Sequence, residues 1–84
     1  MTEKEVGTVS DFFARPVVAG VTMTGTLKVG DKIHIKGHTT DIEMVIASMQ
    51  IENEDVTEAK KGTSVGIKVP DRVRAGDTVY KVTD

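Results

Sequence analysis

The sequence predicts an all-β protein, a small six-stranded antiparallel closed β-barrel, and three observations predict it. Oily and polar residues alternate in short runs, most strictly in "VGDKIHIKGH" at residues 29–38, and a period of two is that of a half-buried strand. Glycine-centred turn signals separate these runs at short intervals, as they do in small barrels and sandwiches. No long stretch carries a competing helical stripe.

Taken in order, "EVGTVSD" gives a first strand near Val6 to Ser10. "PVVAGVTMTG" gives a second, with Val17, Ala19, Val21 and Met23 on one face and Pro16 at its entrance, where a missing N–H costs no ladder bond. Between them lie Phe12 and Phe13, both expected to pack at the barrel end, since a small barrel has few large side chains to fill it; an exposed ring there would be a docking anchor. The third strand is 29–38, with Ile33 and Ile35 inward and Lys32, His34 and Lys36 forming a basic ridge toward water. A fourth begins at Ile42 and places Ile42, Met44 and Ile46 on one face; beyond Ala47 and Ser48 the oily positions become Met49 and Ile51, so the parity flips. The flip predicts a bulge that bends the strand at a barrel corner, the alternative being a strand that ends and restarts. "TSVGIKV" is the fifth strand, with Val65, Ile67 and Val69 inward, and "DTVYKV" the sixth.

The connecting turns resemble one another: "LKVGDKI", "AKKGTSV" and "VRAGDTV". Gly30, Gly62 and Gly76 supply the positive φ of a tight turn, and Asp31, Thr63 and Asp77 can accept bonds from nearby backbone N–H groups. None has the spacing of a phosphate-cradling loop that opens a helix.

At 84 residues and 38% hydrophobic content the chain suits one small domain, spanning 6–84 after a flexible tail at 1–5. It has no cysteine, so disulfides and thiolate zinc sites are excluded. A net charge of −2 argues against a protein held to nucleic acid by bulk charge; an RNA contact needs a local patch. The runs "IENEDVTE" and "KVPDRVR" read as solvated loops. His34 and His38 would stand roughly 13 Å apart along a strand, too far to share a zinc ion. Neither has an orienting carboxylate evident in sequence, and no nucleophile motif is present, so we expect no enzyme, no metal and no cofactor. The start "MTEKEVG" lacks a signal-peptide pattern and no apolar run is long enough to span a bilayer, so the expected location is cytoplasmic.

"VGTVSDFF", "GTLKVGDKIHIKG", "IASMQIENEDVTEAKKGTSVGIKV" and "RVRAGDTVYKV", in that order over Val6 to Val82, resemble the second domain of translational GTPases such as elongation factor Tu, elongation factor one-alpha and initiation factor two. That resemblance implies a six-stranded barrel. It brings no GTPase: the P-loop lysine, DxxG and NKxD are absent, so no GTP is expected. By position it sets Gln50 where the family has a glutamate near the aminoacylated end of transfer RNA, with Glu52 and Asn53 at the next two places. Glu52 would put negative charge where the family often has a ring or a cation, which disfavours delivery of charged RNA. The barrel is also similar to the C-terminal accessory domain of collagenase-like peptidases that act in RNA or ribosome modification.

The candidate contacts are therefore Lys32, His34 and Lys36 of the ridge, with Gln50, Glu52 and Asn53. The ridge has two readings, a meeting with RNA phosphates or the protection of an exposed sheet edge by lysines. The functional expectation is a noncatalytic binding module docking on the ribosome, transfer RNA or another translation component. The alternatives are a detached accessory domain for a collagenase-like peptidase or RNA-modification enzyme, and a protein-only adaptor.

Overall fold

Ile33 and Ile35 are wholly buried, as alternation requires, and the strand that carries them sits inside an antiparallel sheet. The computed structural model describes residues 2–14 and 17–83, and its regular elements are all strands: β1 (Thr2–Phe13), β2 (Val18–Met23), β3 (Leu27–Lys28), β4 (Lys32–Lys36), β5 (Asp41–Val45), β6 (Met49–Ile51), β7 (Glu54–Val56), β8 (Glu58–Ala59), β9 (Ser64–Lys68) and β10 (Thr78–Thr83). The expected strand entrance at Pro16 lies outside the described residues.

The six-stranded closed barrel is corrected. Eight strands pair in the order β5-β4-β10-β1-β2-β9-β6-β7, and β3 pairs with β8 in a separate two-stranded ladder. No ladder joins the ends β5 and β7. Single backbone bonds extend the neighbouring pairs: Gly30 N–H to Ile46 O at 2.8 Å and Ile46 N–H to Asp31 O at 2.9 Å continue β4–β5, and Val29 N–H to Thr57 O at 3.0 Å continues β3–β8. Leu27 of β3 and Ala59 of β8, both fully buried, complete the core there.

The parity flip after Ile46 marks a strand that ends and restarts. β5 pairs with β4, whereas β6 pairs with β9 and β7, so the chain leaves one ladder and enters another. The bulges lie in β1, where register shifts between Glu5 and Gly7 and between Val9 and Asp11. They let one long strand serve β10 along its first half and β2 along its second. Residues 2–5, expected as a flexible tail, open this strand: Thr2 to Glu5 pair with Thr83 to Tyr80.

The core draws Val6 and Val9 from β1, Ala19, Val21 and Met23 from β2, Met49 from β6, Val65 and Ile67 from β9 and Val79 from β10. Val17, expected on the inward face of the second strand, is instead exposed. Val73, within the run read as a solvated loop, is buried and packs into this core.

The three similar turns share one geometry. Gly30, Gly62 and Gly76 have φ of 97°, 88° and 98°, and the following residue donates its N–H back to Lys28, Lys60 and Arg74. A positive φ at the third position of such a bonded turn is the type II arrangement, which glycine enters without steric cost. Asp31 and Asp77 each also accept the N–H of residue i−3, at 2.9 and 2.8 Å.

Candidate functional site

Gln50, Glu52 and Asn53 come together on the wall of a groove of about 500 Å³ whose floor is glycine. Gly20 of β2 and Gly66 of β9 are direct cross-strand partners, so two neighbouring places on this sheet face carry no side chain. A methyl group on Gly66 would stand 3.2 Å from Val18, and one on Gly20 3.3 Å from Asp11. Asp11 and Phe13 form the opposite wall.

The wall that holds the predicted trio is the β6–β7 hairpin. Glu52 and Asn53 are its two loop residues and both are left-handed, with φ of 52° and 66°, as a type I′ turn demands. Asparagine suits such a position; glutamate does so at a cost. Gln50 faces Asp55 across the hairpin and donates to it at 3.0 Å, which leaves its carbonyl oxygen free to accept.

Phe12 packs against the core, whereas Phe13 is 54% exposed, so the expectation that both rings fill the barrel end is corrected. Adjacent residues of an extended strand face opposite ways, and only one ring can reach the interior. Among the described residues, those lining the groove include the carboxylates of Asp11 and Glu52 and no cation. Such a surface suits an apolar group that carries a positive charge or an N–H donor, and it repels phosphate.

The ridge departs from expectation. Lys32 and Lys36 are exposed, but His34 is buried at 8% exposure rather than facing water. Its Nδ1–H donates to Glu3 of β1 at 2.7 Å and its Nε2–H to Asp41 of β5, while Tyr80 of β10 lies across the strand with ring centroids 6.5 Å apart. The bond to Asp41, followed by that to Glu3, holds the imidazole pKa above its ordinary value, against a smaller opposing effect of burial. Each ring nitrogen thus faces a carboxylate, an arrangement that favours the charged imidazole, and the two carboxylates approach opposite sides of the ring instead of converging on a shared point.

Edge protection by the ridge is also corrected, because β4 lies between β10 and β5 and is not an edge. β5 sets Glu43 across from His34 and Asp41 across from Lys36, and Lys32 pairs with Glu43 at 3.4 Å. The face is thus mixed in charge. Glu3 and Asp41 lie 31 and 7 residues from His34, and only the β1–β10–β4–β5 order brings them to it. The glycine floor was likewise hidden in sequence, since it exists only in the β2–β9 register.

No family model matches the chain. It is 47% identical over 77 residues to an uncharacterized protease of Methanocaldococcus jannaschii, a match covering 90% of this chain and 19% of that protein. The chain therefore spans about a fifth of the length of this curated relative. Its fold is that of the C-terminal domain of a putative U32 peptidase from Geobacillus thermoleovorans. One structure of that domain gives a TM-score of 0.86, covering 93% of this chain and 91% of that one; its selenomethionine variant gives 0.85, covering 90% and 96%. Identity to both is 18%. These likenesses support the resemblance to the C-terminal domain of collagenase-like peptidases and lend none to the second domain of translational GTPases. Among the described residues, no helix is long and apolar enough to cross a membrane.

Proposed function

We propose that this chain is a noncatalytic accessory domain that works beside the catalytic body of a collagenase-like peptidase. The observation that carries the reading is the 47% identity over 77 residues, which spans nearly this whole chain but a minor part of a much longer protease. The shared fold with a peptidase C-terminal domain supports it. The chemistry of the chain is in keeping with a noncatalytic role, since each nitrogen of the buried imidazole is held by a carboxylate. In this reading the glycine-floored groove is the contact face for the peptidase body, with Phe13 as its apolar anchor and Asp11 and Glu52 selecting a basic or N–H-bearing segment.

A pull-down from the native extract, with and without ribonuclease and read by mass spectrometry, tests this. A peptidase-like protein retained after ribonuclease treatment supports the proposal. Recovery of ribosomal particles alone, lost on ribonuclease treatment, contradicts it and returns the choice to an RNA-docking module.

A further inference from the structure

A second groove, of about 510 Å³, has the opposite charge to the first. It is lined by Lys4, Lys61 and Lys81 with the hydroxyl-bearing Thr2, Thr26 and Thr83, over a floor of Val6 and Gly25. Its cations come from three separate places. Lys4 of β1 and Lys81 of β10 are direct cross-strand partners, and Lys61 stands in the turn before β9, which the bond from Gly62 N–H to Met23 O fastens to the end of β2.

Two ammonium-bearing side chains directly opposite each other on a ladder repel and weaken the pairing. Here a third is brought beside them, in a chain whose net charge is −2. Among the described residues, the one carboxylate paired to any of the three is Asp31, 3.4 Å from Lys81, and Asp31 is also bonded to the backbone of its own turn. The floor is tightly packed. Thr24 and Gly25 both donate to Val6 O, and a methyl group on Gly25 would stand 3.1 Å from the Val6 side chain.

We propose that this groove binds an oxyanion of the phosphate class, carrying two or more negative charges, between the ammonium groups of Lys4, Lys61 and Lys81. The lining indicates the ligand. Every charged group in it is an ammonium, a compact donor suited to tetrahedral phosphate, with no guanidinium fork for planar carboxylate recognition. Hydroxyls supply further donors, and with no aromatic residue in the lining nothing stacks on a base, so recognition stops at the phosphate. The site does not depend on the peptidase reading, and its lysines are not among the candidate contacts read from sequence.

The test is nuclear magnetic resonance titration of the full chain with inorganic pyrophosphate, against sodium chloride at matched ionic strength, with a parallel titration by a short oligouridylate. Saturable shifts of the Lys4, Gly25, Lys61 and Lys81 amides with pyrophosphate support the proposal. Shifts with oligouridylate alone, whose phosphodiesters carry one charge each, would overturn the assignment of an oxyanion with two or more charges. The double substitution Lys4→Ala with Lys61→Ala then weakens binding about tenfold or more. Lys4→Glu removes the saturable shifts while raising the melting temperature of the free protein, because it turns a repulsive cross-strand pair into an attractive one; a purely structural lysine would lose stability on that change. Shifts reproduced by sodium chloride, shifts centred on other lysines, or no shifts with either ligand would overturn the site.

Discussion

His34 joins three strands through one ring. Its folded pKa is raised, so its contribution to stability is fully present below the unfolded histidine value and is lost as pH rises through the folded one. The groups facing it are Glu3 on β1, Asp41 and Glu43 on β5 and Tyr80 on β10, with Lys32 paired to Glu43. Replacing His34→Gln should therefore lower the melting temperature most at about pH 5.5 and progressively less toward about pH 9. Thermal unfolding followed across that range checks this, and a deficit that grows with pH would refute the ionic tie. At Gly37, a methyl group would collide with Asp77 Oδ1, and Asp77 is buried and bonded to Arg74 N–H. Gly37→Ala must displace that turn and should cost about 2–3 kcal/mol in denaturant unfolding. Gly30, with open space around it but a φ of 97°, should lose only about 1 kcal/mol on substitution by alanine.

At the scale of the element, the β6–β7 hairpin holds Glu52 in a left-handed conformation that asparagine adopts more readily. Glu52→Asn should stabilise the protein by about 0.5–1 kcal/mol while removing one of the groove's carboxylates, a separation visible by comparing chemical denaturation with partner binding. What was legible in sequence is what is local. Alternation buried Ile33 and Ile35, the fifth strand buried Val65, Ile67 and Val69, and the repeated turn pattern lies where three glycines have positive φ. What was hidden depends on which strands become neighbours. The parity change after Ile46 marks a move between ladders, a distinction that periodicity within one segment does not contain. The two-residue strands β3 and β8 are too short to show a period, yet they bury Leu27 and Ala59. Gln50, Glu52 and Asn53 stand together in the sequence, but the Phe13, Gly20 and Gly66 that share their groove come to it only through the pairing of β1, β2 and β9.

Over the whole molecule, the sheet positions two grooves of opposite charge, one lined by Asp11 and Glu52 and the other by three lysines. A net charge close to neutral conceals this division. The ridge that looked basic in sequence is neutralised by β5, so Lys32→Glu with Lys36→Glu should leave partner binding nearly unchanged. Association with a peptidase body is tested most directly by titrating this chain into the Methanocaldococcus jannaschii protease expressed without its matching segment, followed by sedimentation velocity. A one-to-one complex that Phe13→Ser weakens about tenfold or more is the expected result. Absence of a complex, or one that Phe13→Ser leaves unaltered, would contradict it.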